Sequence, residues 1–266
     1  LPPARLATAK AFFSKVESLN LPPGNIALVS LDWGPGGVAE NQPQTLVTLE
    51  HLFRKRIPFA MITMYPLAVP FLEGLPDKII AKLKAESPTA PPYEYGRDWV
   101  NLGYRPNGFL LIQSLAKSNN WKETLEVDSN GTSLSALPLF EKVETIKNIS
   151  LFVEITGLVG VFGNWIQYFQ TKEYRPPFLH GCTSISIPEA YNYFASGQIL
   201  GLHEGVAGAA SYEQLLSEAY PKRSKGDALR NNTSIAVAQL LVLGLIALGN
   251  IGAVWQRFRK DNESGV

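Results

Sequence analysis

The chain cannot close an internal disulfide, because Cys182 is the only cysteine in 266 residues. That excludes the small stapled scaffolds of secreted proteins, whose cores do not hold without covalent help. An oxidising compartment stays open, since a chain of this length can bury a core that needs no staple. Histidine is scarce as well: His51, His180 and His203 stand at no spacing that a zinc site uses. Neither sign of charge dominates. With 24 basic against 23 acidic residues the net charge is +1, and the electrostatic footprint of a nucleic-acid binder is missing. The G-x-S-x-G elbow and the G-x-x-x-x-G-K-[ST] loop are absent, which removes the commonest hydrolase and nucleotide-hydrolase readings. No internal repeat or low-complexity tract occurs.

What the chain does have is one long stretch without charge. From Asn231 to Gln256 there is no Asp, Glu, Lys or Arg, and Ile235 to Trp255 is almost wholly apolar. At 1.5 Å per residue this run makes about 30 Å of helix, the thickness of a bilayer's hydrocarbon core. Trp255 takes the place of an interfacial aromatic, and Arg257, Arg259 and Lys260 close the run with charge. A core helix of this length would carry some charge or a polar stripe. The pattern therefore predicts a transmembrane helix over 233–256, a basic linker over 221–232 and a short tail over 257–266.

The span carries its own information. Gly244, Gly249, Gly252 and Ala253 are small enough to let a second helix approach closely. Gln239 and Asn250 are amides at membrane depth, where an unpaired amide is costly. These six residues predict contact with helices of other membrane subunits within the lipid bilayer; a lone span with incidental glycines is the alternative. Lys222, Arg223, Lys225 and Arg230 precede the span, so basic residues on both flanks leave the positive-inside rule nearly silent. The start at Leu1 rather than Met fits a removed signal peptide or an omitted first helix. The expectation is an extracytoplasmic, for example periplasmic, domain; a cytosolic domain on a tail anchor is the rival.

Residues 1–220 read as a single α/β domain. Leu6, Ala9, Phe12, Phe13 and Val16 recur at helical spacing. Asn25 to Leu31 is a nearly continuous apolar run ending in Asp32, the look of a strand buried on both faces. A glycine-rich loop follows, then a helix expected to open near Pro43. Ile57–Met64, Trp99–Tyr104 and Ile149–Ile155 read as further strands, and Phe178–Ile187 holds another, each leading into a helical pattern. Glu126 to Asp128 reads as an added edge strand. About five strands alternating with helices predict a Rossmann-like, mostly parallel sheet flanked by helices.

Ligands of such sheets sit beyond the carboxyl ends of the strands. There the run Asp32-Trp33-Gly34-Pro35-Gly36-Gly37 offers backbone amides to a phosphate. It departs from G-x-G-x-x-G, Pro35 removes an amide, and the next strand ends Thr63-Met64-Tyr65 without an acid for a ribose. A plain strand-to-helix turn is the leading reading. Asp32, Glu40 and Glu154 fall near the same edge, where carboxylates can serve acid–base or cation chemistry. Each also has an ordinary use in hydrogen bonding or at a helix start. His180 and Cys182 share a strand face, yet no oxyanion loop accompanies them, so a buried structural thiol is expected. Asp128-Ser129-Asn130-Gly131 lacks the glutamate of a calcium loop and reads as an Asn-Gly turn. Asn130, Asn148, Asn231 and Asn232 begin Asn-x-Ser/Thr triplets, which do not locate the protein.

Two functions follow as expectations. The first is a membrane-anchored, non-enzymatic domain serving as a structural or accessory subunit of a membrane assembly, with no cofactor, no metal and no catalytic residues. The second is an anchored enzyme or small-ligand-binding domain, its ligand held by Asp32, Gly34, Gly36, Gly37, Glu40 and Glu154.

Overall fold

The computed structural model describes residues 2–224 and 226–263. Lys225 of the expected linker and residues 264–266 of the expected tail lie outside the described residues. So do the side chains of Arg257, Arg259 and Lys260.

Six strands form one sheet: β1 (Ile26–Asp32), β2 (Phe59–Thr63), β3 (Trp99–Tyr104), β4 (Ile149–Thr156), β5 (Phe178–Cys182) and β6 (Leu202–Glu204). Their order is β3-β2-β1-β4-β5-β6 and every pairing is parallel. All seven residues of β1 are buried, as its unbroken apolar run requires of a central strand. The winding reverses between β1 and β4, so crossovers leave in opposite directions and helices cover both faces.

One face carries α1 (Ala7–Glu17), α2 (Val38–Arg54), α3 (Val69–Glu86) and α8 (Gly205–Ala219), which meet Ala27, Val29 and Leu31 through Phe12, Leu52, Leu72 and Leu216. The other carries α4 (Gly108–Lys117), α5 (Trp121–Leu125), α6 (Val161–Tyr168) and α7 (Ile187–Ala195). There Ile26, Leu28 and Phe152 pack with Ile112, Trp121, Trp165 and Ala190. Alternation along each strand divides the core in this way, since neighbouring side chains point to opposite faces.

The structure differs from the sequence reading in several places. Six strands are present, and β6 is three residues long, too short to leave a pattern. The edge strand at 126–128 reduces to one bridge between Val127 and Ser133. The helix expected to open near Pro43 begins at Val38, with Pro43 inside it. Within Phe178–Ile187, read as holding a strand, β5 takes Phe178–Cys182 and a 3-10 turn follows over Ser184–Ser186. Helix α9 runs Asp227–Glu263, so 227–232, read as linker, is helical, and so is the backbone of 257–263.

The first turns of α9 are fastened to the domain. Glu213 of α8 accepts the backbone amides of Gly226 and Leu229, placing a carboxylate at the positive end of the helix. Ala228 is buried, and partial burial persists as far as Ala236. Beyond that point every described side chain of α9 is exposed. Within Asp227–Ala253 the most apolar 18-residue window has a mean hydropathy of 2.1 with 0% of it buried, and the helix is long and apolar enough to cross a membrane.

Candidate functional site at the carboxyl edge of the sheet

Asp32 ends β1 with no exposed surface. Its Oδ2 accepts from Ser30 Oγ at 2.6 Å, and its Oδ1 from the Met64 amide at 2.6 Å and Thr63 Oγ1 at 3.2 Å. Burial raises the carboxyl above its ordinary range, and these donors pull against that rise. The side chain thus ties the end of β1 to the end of β2. Its lone pairs are spent within the protein.

Glu154, in register with Ser30 on one side and His180 on the other, is equally buried. Glu154 Oε2 lies 2.9 Å from His180 Nδ1. The angles do not make a hydrogen bond, and both carboxyl oxygens and Nδ1 lack a hydrogen-bond partner. Burial, reinforced by the charge of Asp32, raises Glu154 well above the usual carboxylate range. Burial also drives His180 down to about 3. Burial thus works against the charged form of both groups, and Phe162 is stacked on the His180 ring at 3.9 Å. Such a pair can hold a proton, but α6 roofs it over.

The crevice where the winding reverses is filled from within. Asn41 Nδ2 donates to the Thr156 carbonyl, and Gln44 Nε2 to the carbonyls of Cys182 and Gly205. Two glycines make room for these amides. A Cβ on Gly157 would come 2.8 Å from Asn41 Oδ1, and one on Gly181 2.7 Å from Gln44 Oε1. Helix α2 thus plugs the crevice with Asn41 and covers the ends of β5 and β6 with Gln44.

The glycine loop shows the same economy of space. A Cβ on Gly34 would meet Tyr65 at 2.9 Å, and one on Gly37 would meet Asn41 at 2.5 Å; only Gly36 faces open space. Pro35–Gly37 forms a 3-10 turn with Gly37 N bonded to Gly34 O. Glu40 accepts from Ser184 N and Oγ. Of the six candidate ligand residues, the structure brings Asp32 and Glu154 together under α6. It leaves the glycines in a turn and gives Glu40 to a neighbouring loop. Among the described residues no group of three His, Cys, Asp or Glu side chains is arranged to hold a metal ion.

Cys182 is buried and its thiol is pushed up to about 12, chiefly by burial, so it is no nucleophile at neutral pH. Asp128 closes its turn by accepting from the Asn130 and Thr132 amides and from Tyr95 Oη. A cavity of about 620 Å³ lies at the opposite edge of the sheet, lined by Arg54, Arg56, Lys84, Tyr93 and Tyr220. Sequence reading had no access to it, because its walls come from three distant segments.

The six residues singled out in the apolar run, Gln239, Gly244, Gly249, Asn250, Gly252 and Ala253, all lie on α9 with exposed surfaces. No protein-family model matches the chain, and no curated protein or solved structure is significantly similar to it.

Proposed function

We propose that this chain is a membrane-anchored accessory subunit: a Rossmann-like α/β domain, without catalytic activity, whose α9 crosses the bilayer and packs against helices of a larger assembly. The observation that carries this reading is α9 itself. A helix whose most apolar 18-residue window has a mean hydropathy of 2.1 and no buried face has no favourable place in water. The plugged crevice and the internally satisfied Asp32 support a structural use of the domain. The rival reading, an anchored enzyme or binding domain using the Asp32–Gly37 loop and Glu154, rests on the unpartnered Glu154–His180 pair alone.

Helical geometry favours one contact face. At about 100° per residue, Gln239, Gly249, Asn250 and Ala253 fall within an arc of roughly 100°, while Gly252 and Gly244 lie outside it. An amide beside a small-residue groove suits an interhelical hydrogen bond worth about 0.6–2 kcal/mol.

The domain is placed outside the cytoplasm in this proposal. Arg223 is committed to buried ion pairs and Arg230 lies 3.6 Å from Asp227, so the leading flank has less free positive charge than its sequence suggests. Arg257, Arg259 and Lys260 then tip the positive-inside balance toward a cytoplasmic tail.

The test is detergent extraction of the Asn250→Leu, Gly249→Ile double variant. Equal membrane content with loss of co-purifying membrane proteins is the expected result. An unchanged set of partners would reduce α9 to a tether.

A further inference from the structure

The path of α9 sets where the bilayer must begin relative to the domain. Ser224 bonds Glu86 at the end of α3, and Asp227 reaches Lys78 farther back along α3. Leu229 is tied to Glu213, midway along α8. Helix α9 therefore climbs antiparallel to α3 and α8, toward the carboxyl edge of the sheet where both of those helices start. From Lys78 to the start of α3, and from Glu213 to the start of α8, is roughly 12–14 Å at 1.5 Å per residue. Climbing at the same rate, α9 reaches the level of that edge roughly at residues 236–237. Contact with the domain also ends there, and the exposed apolar run begins.

The loops at this edge suit that position. The β1, β2, β4 and β5 loops, residues 33–37, 64–68, 157–160 and 183–186, hold no charged residue. In the β3 loop, 105–107, Arg105 is the one charge, and it is bonded to the carbonyls of Leu102 and Val127. The loop tips expose large apolar side chains: Val159 and Ile185 at 83% each, with Leu67, Phe109 and Leu110 beside the other strand ends. The opposite edge is different. Its connections carry Lys55 and Arg56, Glu141, Lys142, Glu144 and Lys147, and Lys172, Glu173 and Arg175. The carboxylates at this edge are few: Glu40 and Glu204 are hydrogen-bonded to Ser184, Thr8 and Tyr191, and Glu189 is exposed in the first turn of α7. Loops so poor in charge, with exposed apolar tips level with the start of the span, are costly in water and favourable against a membrane interface.

We propose that the carboxyl edge of the sheet rests on the bilayer surface, with the tips at Leu67, Phe109, Leu110, Val159 and Ile185 entering the boundary between headgroups and acyl chains. The proposal rests on the reading of α9 as a membrane span and adds a second, peripheral contact that fixes the tilt of the domain.

The test uses the full chain in phosphatidylcholine vesicles, with single cysteines at Ile185, Val159, Leu245 and, on the opposite edge, Lys172. Each is labelled with an environment-sensitive fluorophore, and the unsubstituted chain, its thiol buried, is the blank. The exposed positions of Val159 and Ile185 keep their substitutions compatible with folding, which circular dichroism checks. Expected are quenching of the Leu245 label by deep nitroxide lipids, and blue-shifted emission with quenching by shallow nitroxide lipids at Val159 and Ile185. The Lys172 label should show neither. A quenched Leu245 label with loop labels that behave like Lys172 overturns the surface contact while leaving the anchor intact. An unquenched Leu245 label overturns the anchor and the surface contact together. Loop labels that stay wet in vesicles, but are shielded from thiol reagent in native membranes, would assign the edge to a protein partner and also overturn the proposal.

Discussion

Arg223 lies across Glu50 in a two-pronged pair, Nε 2.7 Å from Oε1 and Nη2 2.9 Å from Oε2, although 173 residues separate them. Its Nη1 reaches Glu213 at 2.9 Å, and the side chain is 1% exposed. Glu50 also receives Arg54 and Lys82, and Arg54 passes on to Glu86, which accepts Ser224 N and Oγ. One buried network thus holds the segment before α9 against α2, α3 and α8. It makes the start of α9 a continuation of the domain instead of a loosely hinged segment.

Arg223→Ala should therefore destabilise the domain severely. Removing Arg223 from this buried cluster leaves Glu213 without its ion-pair partner and Glu50 with Arg54 and Lys82 alone, at a cost of about 3–5 kcal/mol. Lys222→Ala, at an exposed neighbour, should change stability by less than about 0.5 kcal/mol. Denaturant unfolding in detergent measures both. Similar midpoints for the two variants would show that the network contributes little.

Acid should release the same clamp. Burial works to raise Glu50, but Arg223 and Lys82 outweigh it and hold the carboxyl below its ordinary 4.5. Glu86 is lowered as well: burial opposes the shift, and hydrogen bonds from Ser224 and Arg54 overcome it. A carboxylate with a depressed folded-state pKa stabilises fully above its unfolded value and loses that contribution as pH falls through the folded value. The stability gap between the parent and Arg223→Ala should be constant near neutrality and shrink below about pH 4.5. Unfolding curves of the two proteins across that range check the direction.

Glu154 should show the opposite sign. Its folded-state pKa is raised, so ionisation costs stability as pH climbs from 4.5 toward the folded value. Glu154→Gln removes the titrating group while keeping its shape. It should stabilise the protein at pH 8 by about 1.4 kcal/mol for each unit by which folding raises the carboxyl. Below pH 4 the variant should lose that advantage. A destabilised variant at pH 8 would mean that the carboxyl is ionised and paired in the native protein.

Gly201 is the position where added bulk should hurt most. A Cβ there would stand 2.4 Å from Phe12 Cα and 2.5 Å from Phe12 N, against backbone that cannot swing aside. Gly201→Ala should force α1 away from β6 and cost about 1–3 kcal/mol. Gly163→Ala in α6, where nothing stands within 4 Å, should be neutral or stabilising by up to about 1 kcal/mol. Thermal unfolding of the two variants separates packing from glycine content.

Much of this molecule was legible in local pattern. The apolar run ending at Asp32 marked a doubly buried strand, alternating periods announced an α/β sheet, and the charge-free stretch beyond Asn231 identified the apolar helix. Each of these signals is carried by residues that are neighbours in sequence, so the sequence alone determined them. The order in which strands lie together was decided only in three dimensions, as was the three-residue β6 whose pairing with β5 defines it. The roles of polar residues were decided there too. Asn41 and Gln44 drew no notice in the sequence, yet Asn41 fills the crevice beside the glycine loop, a candidate ligand site, and Gln44 holds the ends of β5 and β6. Arg223 read as one more linker charge, yet it is buried between carboxylates contributed by two other helices. Periodicity records which face of an element turns inward; which polar group meets which depends on contacts between distant segments, and these leave no local trace in the sequence.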